Sequence, residues 1–570
     1  MREKRWSTAA RRLRQGVFAL ACLWCARAVH VPGLAAAVDE SALVTLSIVG
    51  TSDLHGAASP RNGIGGLSLL AGYVNNLRAA RASDRGAVLL IDSGDTFQGD
   101  VESNLSEGAS IVDAYNAMGY TAEAIGNHDF DFGSVDSPGA RQLPGDLRGA
   151  LKARAAQARY PFLAANLMDA ATRRVVDWPN VRPSVLVDAA GIKVGIVGVM
   201  TIDALRSTLA ANVQGLQIAP LAPTILEHAS KLRAAGAGIV VVASHAGGRC
   251  ERFDQPADLS SCDDESEIFR VARSLPHGLV DVIVAGHTHG GLGHLVDGIG
   301  IIQPFSRGQS FGRVDLVVDR RTRRAVRMQL FAPHQIAPGQ YEGKAVVSDP
   351  AIDTAMAPAL ERVHQLQTTA LGVSLDVPVP RVGTIGSPLG NLFAEALRAA
   401  VPGADVAAIN NAARGLRADL AAGLLTIGRL YDVFPFDNRI ARITLTGAEL
   451  GRWIAGEISQ GRRGSLGISG VDVRTSCRDG LLVELFRRSG PIHDDDRLLA
   501  VTIGGPTLSG NLASSDPVAG IGPIGNAPVV REVVEDWFRR LGRSARSQVE
   551  DATHRSPAFA DAPISNCVAR

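Results

Sequence analysis

TLSIVGTSDLHG, residues 45–56, decides how the rest of the chain is read. Thr45 to Gly50 is a short, apolar, β-rich run of the kind that forms a buried strand. It empties into Asp53-Leu54-His55-Gly56, where a carboxylate and an imidazole stand two positions apart. The same construction recurs downstream. Residues 87–91 feed Asp92-Ser93-Gly94-Asp95, and residues 122–125 feed Gly126-Asn127-His128-Asp129-Phe130-Asp131. Residues 239–243 deliver His245, and residues 282–285 deliver Gly286-His287-Thr288-His289. Open α/β sheets present ligands at the carboxyl ends of their strands, so this order gathers the residues at one edge. On extended backbone, side chains two apart share a face, which predicts that Asp53 with His55, and His287 with His289, point the same way.

Outward from this stretch, residues 43–49, 87–91, 194–199, 238–243 and 280–285 read as buried strands, with helix patterns at 67–82 and 223–235 between them. The expectation is an α/β domain over residues 39–336, its sheets covered by helices. A linker and connecting helix follow over 337–374, opening on the Pro/Gly-rich 337–340 and carrying a helical pattern at 349–369. Residues 375–541 form a second, smaller α/β unit, with a helix at 390–400, a strand before Asn410 and another at 439–445. From 542 to 570, Ser, Arg, Asp, Ala and Pro without periodicity predict a flexible tail.

Composition narrows the functional classes. Hydrophobic residues make up 46% of the 570, and Lys+Arg 58 against Asp+Glu 57 leaves a net charge of +1. No global field favours a nucleic-acid polymer or a membrane surface, so an anionic substrate must be drawn in locally. Residues 1–37 read as a signal peptide: Arg2, Lys4, Arg5, Arg11, Arg12 and Arg14 precede an apolar run at 17–26 and the small residues Ala35-Ala36-Ala37. That run is short of the roughly 20 residues a spanning helix needs, which predicts export with cleavage near Ala37, a periplasmic or secreted protein, and no stable membrane span after the leader is removed. Cys250, Cys262, Cys477 and Cys567 then remain. Cys250 and Cys262, in one polar insertion, are expected to close a local disulfide, and Cys477 with Cys567 is the other pairing considered.

Each Asp-x-His or His-x-His pair is a weak signal alone, but carboxylates, a carboxamide and several imidazoles after successive strands form a metal-binding set. Mixed oxygen and nitrogen donors suit Mn, Zn, Fe or Co rather than Ca or Mg. The cysteine pattern excludes a structural thiolate zinc site.

These motifs, Asp53-Leu-His55, Gly94-Asp95, Gly126-Asn-His-Asp-Phe-Asp131, His245 and Gly286-His-Thr-His289, resemble those of the calcineurin-like metallophosphoesterases. The likeness is to the bacterial periplasmic 5'-nucleotidase type. The resemblance implies a four-layer α/β/β/α catalytic domain followed by a 5'-nucleotidase-like C-terminal α/β domain that holds substrate. It implies two divalent ions bridged by Asp95, one completed by Asp53, His55 and His289, the other by Asn127, His245 and His287. His289 stands where some nucleotidases of this type have Gln. Two such ions roughly 3.5–4 Å apart lower the pKa of a shared water and make it an attacker of phosphorus. His128, left without a metal, would stabilise the transition state and protonate the leaving oxygen, with Asp131 orienting its ring.

In the second unit the likeness runs through Ser387-Pro-Leu-Gly-Asn391, Arg414-Gly-Leu-Arg-Ala-Asp419 and Phe434-Pro-Phe-Asp-Asn438. It implies Asn411, Arg414, Arg417 and Phe436 as substrate-binding residues. Guanidinium forks suit phosphate, and a ring stacks on a base. The sequence departs from the family pattern in two places. The family's phosphate-binding Arg falls at about Ile385, with Arg381 displaced upstream, and Ala513-Ser-Ser-Asp-Pro-Val518 replaces the loop that precedes the second stacking aromatic. The implied activity is hydrolysis of phosphate monoesters, nucleotides foremost. The alternatives are a 2',3'-cyclic-nucleotide phosphodiesterase or other ester hydrolase of the same fold, and a metal- or ligand-binding protein without turnover.

Overall fold

The computed structural model describes residues 42–135, 145–209, 211–383, 386–410, 415–434, 438, 440–461, 463–477, 480–503, 522–523 and 528–541. The expected leader, the tail at 542–570 and Cys567 lie outside the described residues, so the expected Cys477–Cys567 pairing does too.

Strand Leu43–Thr51 lies parallel to Ala87–Asp92 and antiparallel to Ser310–Asp319. The sheet runs on through Ala122–Ala124, Phe162–Leu163 and Val181–Arg182 on one side and Arg324–Leu330 on the other. A second sheet has Ile239–His245 between Ile192–Met200 and Val282–Ala285, both parallel to it. Ser184–Ala189 flanks it at one edge, and Ile299–Pro304 with Gly291–Val296 at the other.

Side chains alternate across a strand, and here both faces are apolar because both are covered. Ile239, Val241 and Ala243 meet Leu46, Ile48, Leu89 and Ile91 of the first sheet in a shared inner core. The intervening Val240 and Val242 pack with Ile225, Leu232 and Phe269, from helices Leu221–Ala234 and Glu267–Ser274. Val49 and Leu90 face the other way, onto helices Leu67–Ser83 and Ala109–Met118 through Leu70, Val74, Ile111 and Tyr115. The layers are therefore helix, sheet, sheet, helix, as expected. The antiparallel strands from Gly291 to Leu330 went unrecognised in the sequence.

Helix Pro350–Thr368 starts where Asp349 caps the Ala351 N–H at 2.9 Å and Pro350 fills the first turn. Ile352 and Met356 join the core under helices Leu67–Ser83 and Ala109–Met118, while Leu366 packs against the next one. Beyond it, a five-stranded sheet runs in the order Leu466–Ser469, Val406–Asn410, Arg497–Ile503, Ile440–Thr446, Gly522–Pro523. Helices Pro388–Ala400, Ile427–Val433 and Val530–Leu541 cover one apolar cluster, and Gly447–Ser459 covers another.

Candidate metal centre

The strands ending at Thr51, Asp92, Ala124, His245 and Ala285 deliver their loops to one edge of the sandwich. There the backbone turns left-handed at Asp53 (φ 50°), His55 (50°), Asp95 (59°), His287 (75°) and His289 (56°). Non-glycine residues in this region cost of order 1–3 kcal/mol each and persist only where the surroundings impose them. This corrects the expectation of extended backbone with paired side chains on a shared face. Asp53 and His55 do converge, but on curled chain, and His287 and His289 part into different clusters. The loops touch so closely that a Cβ on Gly126 would sit 2.2 Å from Asp95 Oδ1, and one on Gly94, at φ 90°, 2.5 Å from the Gly126 nitrogen. Only glycine fits either place.

Two groups form, Asp53 with His55 and His289, and Asp95 with His245 and His287, the donor atoms of each lying within 4.8 Å of one another. Asp95 Oδ2 stands between them, 3.3 Å from His245 Nε2 and 3.9 Å from His55 Nε2. Asn127 Oδ1 lies 3.0 Å from His245 Nε2 and 2.9 Å from His287 Nδ1. Its amide nitrogen donates to the Ser207 carbonyl at 3.0 Å, which fixes which end faces inward. The remaining links close the ring: His289 Nε2 is 3.0 Å from His55 Nε2 and 3.5 Å from Asp53 Oδ1.

The tautomers follow from the outer contacts. Nδ1 of His55 faces the Gln98 carbonyl at 2.9 Å, and Nδ1 of His245 faces that of Ser93 at 2.7 Å, so both Nδ1 atoms carry the proton. Both Nε2 atoms are thereby turned into the cluster, the arrangement by which carbonyls orient metal-binding imidazoles. Burial holds His55 well below the usual histidine range and lowers His287 to about 3 and His289 to about 4. These rings are neutral, as ligands must be. Burial raises Asp53 to about 7, and the positive charge of His245 only partly offsets it. Burial also disfavours charge on Asp95 and His245, yet their attraction wins: Asp95 falls well below the carboxylate range and His245 rises to about 10. Convergent oxygen and imidazole donors of this kind fit two divalent cations.

His128 stands beside this set without joining either group, its ring 5.4 Å from that of His55. Its Nδ1 donates to Asp131 Oδ2 at 2.6 Å, and Thr208 Oγ1 donates to the other Asp131 oxygen at 2.6 Å. Its backbone N–H donates to Asp95 Oδ1 at 2.7 Å. Asp129 was given no role from sequence. It is buried and accepts from Gly126 N (2.7 Å), Thr96 N (2.9 Å) and Asp95 N (3.2 Å), splinting two ligand loops together. Thr208 carried no signal in the sequence at all.

Of the expected substrate-binding residues, Asn411, Arg414 and Phe436 lie outside the described residues. Arg417 is exposed, its backbone N–H bonded to the Val433 carbonyl at 2.8 Å. Phe434 is core, packed on Phe393 with ring centroids 5.9 Å apart. Arg381 reaches the Leu416 carbonyl at 3.3 Å. A disulfide joins Cys250 and Cys262, as expected.

Comparison with known proteins accords with this geometry. Residues 46–291 match the model of the calcineurin-like phosphoesterases, and residues 366–481 that of the 5'-nucleotidase C-terminal domain. Endonuclease YhcR of Bacillus subtilis is 24% identical over 502 residues, covering 85% of this chain and 38% of that protein. Cell wall protein Lmo0130 of Listeria monocytogenes is 25% identical over 454 residues, covering 71% of this chain and 55% of that one. The chain thus spans only part of the length of either relative. The crystal structure of a 5'-nucleotidase precursor from Thermus thermophilus shares the fold, with a TM-score of 0.60 at 22% identity over 87% of this chain and 97% of that one. Residues 46–291 thus form a calcineurin-like phosphoesterase domain, and residues 366–481 belong to a 5'-nucleotidase C-terminal domain.

Proposed function

We propose that this chain is an exported dinuclear-metal phosphoesterase that hydrolyses phosphate monoesters, nucleoside 5'-monophosphates first among them. One observation carries the reading: Asp95 Oδ2 faces both His245 and His55, one from each donor group. In this reading Asp53, His55 and His289 would hold one ion and Asn127, His245 and His287 the other, with Asp95 reaching both groups. When bound, such ions lower the pKa of a water and offset charge on the phosphoryl oxygens. His128 gives its proton to the leaving oxygen, and Asp131 fixes the ring and stabilises its charged form. Asn411, Arg414, Arg417 and Phe436 hold the rest of the substrate, from a C-terminal unit at 375–541 joined to the catalytic unit at 39–336 by residues 337–374. The match of residues 366–481 to the 5'-nucleotidase C-terminal domain supports a nucleotide.

Export is supported by the name of the Listeria relative, a cell wall protein, and among the described residues no helix is long and apolar enough to cross a membrane. A second reading, hydrolysis of phosphodiesters such as 2',3'-cyclic nucleotides, is favoured by the name of the Bacillus relative, an endonuclease. Reconstitution with Mn, Zn, Fe or Co, each assayed on 5'-monophosphates, 2',3'-cyclic nucleotides and an aryl phosphate, tests both. Turnover of monophosphates supports the first reading, turnover of cyclic nucleotides alone supports the second, and no turnover with bound metal removes both.

A further inference from the structure

After strand Ile299–Pro304 the chain runs Phe305-Ser306-Arg307-Gly308, with φ of 62° at Phe305, 59° at Arg307 and 58° at Gly308. Two side-chain-bearing residues in left-handed conformation within three positions need something to hold them there. The restraints come from the metal centre. Phe305 N donates to the Gly290 carbonyl at 3.0 Å, next to His289, and Arg307 N donates to the carbonyl of Asp53 at 2.7 Å. The Arg307 side chain is tied down from the same direction. Its Nη1 donates to Asp100 Oδ1 at 3.1 Å, and the Asp100 backbone N–H donates to the His55 carbonyl at 2.8 Å. Both ends of the Arg307–Asp100 pair therefore hang from the backbone of residues in the metal set.

Were Arg307 there only to neutralise the buried Asp100, one guanidinium would suffice, and Arg61 Nη2 already meets Asp100 Oδ2 at 2.7 Å. Asp100 thus meets two guanidinia, and the charge of Arg61 also bears on the carboxylates of Glu102 and Asp432. The Arg61 side chain is 59% exposed, whereas that of Arg307 is 26% exposed and its charge bears on both His55 and His289. A guanidinium is a rigid fork of five N–H donors that matches phosphate oxygens two at a time.

We propose that Arg307 is a substrate-binding residue of this site, its guanidinium held by Asp100 so as to grip the phosphate presented to Asp53, His55 and His289. No residue of the C-terminal unit is needed for this contact, so it supplies the catalytic side with its own phosphate hold. The inference rests on the phosphoesterase reading above.

The test uses the full-length, Mn-loaded protein and two variants, R307Q and R307K, with two readouts: steady-state kinetics on an aryl phosphate, and calorimetric binding of inorganic phosphate. For R307Q, KM and the phosphate dissociation constant should rise about tenfold or more, kcat should change by less than about threefold, and bound metal should stay at the wild-type level. R307K, which keeps the charge and loses the fork, should fall between. A folded, metal-loaded R307Q with wild-type KM and phosphate affinity overturns the proposal. So does loss of metal or folding in R307Q accompanied by an R307K that binds phosphate as wild type does, since Arg307 would then only balance Asp100. A wild-type protein that binds metal and phosphate yet hydrolyses no ester removes the phosphoesterase reading instead, and calorimetry on the variants still decides the role of Arg307.

Discussion

His245 and Asp95 form a fully buried pair, Nε2 to Oδ2 at 3.3 Å, with the other ring nitrogen of His245 held by the Ser93 carbonyl at 2.7 Å. Each partner is the main reason the other is charged: Asp95 overcomes the burial that would neutralise His245, and His245 does the same for Asp95. A divalent cation coordinated there competes with the His245 proton.

The pH dependence of stability in chelator follows from this pair. The folded pKa of His245, about 10, lies above the unfolded 6.5, so its contribution is full below 6.5 and is lost as pH rises toward 10. Between about 4 and 6.5 the depressed His55, His287 and His289 add stability as pH rises, while burial-raised Asp53 and Asp129, at about 7, Asp92, at about 6, and Glu123 remove it. Above 6.5 the His245 loss is unopposed, at roughly 1 kcal/mol per pH unit. Chelated protein should melt lower at pH 8.5 than at pH 6.5, and the gain on adding Mn should be larger at the higher pH. A metal-induced gain that is constant or shrinks with pH contradicts the pairing.

His128→Ala should separate chemistry from metal binding. The ring belongs to neither donor group, so bound metal should be unchanged by elemental analysis while kcat falls about 10²- to 10⁴-fold. Asp131→Asn keeps the ring but loses the anionic partner, and should cost less. Equal loss of metal and activity in His128→Ala would place His128 among the ligands.

Gly126→Ala adds one carbon where Asp95 Oδ1 lies 2.2 Å away. The two loops must separate, carrying Asp95 and Asn127 apart. We expect destabilisation of about 1–3 kcal/mol in chemical denaturation and weaker metal binding, larger than for Gly456 in helix Gly447–Ser459, whose added Cβ meets nothing within 4 Å. Equal effects at the two positions would show that the loops are not in tight contact.

Most of the centre was legible because each ligand loop follows a strand whose apolar run announces it, from Leu43–Thr51 to Val282–Ala285. What stayed hidden depends on contacts distant in sequence. The strand beside Leu43–Thr51 is Ser310–Asp319, pairing Leu43 with Asp319, and no local pattern specifies that partner. The left-handed turns at Asp53, His55, His287 and His289 were hidden too, since Asp and His adopt that region at only a small share of their positions and here packing imposes it. Asp129 stood inside a quoted motif, but its three backbone donors come partly from the loop at 95–96, which only the fold brings near.

The disulfide offers a prediction that couples stability to the metal centre. Cys250 is buried, and its N–H donates to the Gly291 carbonyl at 3.0 Å. Two residues earlier, the Gly248 carbonyl accepts from Thr288 Oγ1 at 2.8 Å, and Gln303 Nε2 donates to the same hydroxyl at 2.8 Å. The stem of the bridged loop thus braces the turn that carries His287 and His289. With a sequence separation of 12, the bridge closes a short loop and should contribute about 2–4 kcal/mol. The double variant Cys250→Ser/Cys262→Ser should therefore melt lower and also bind metal more weakly in calorimetry, because the released stem lets the His287–His289 turn relax. A variant that melts lower but keeps wild-type metal affinity would mean that the loop stabilises the fold without bracing the ligands.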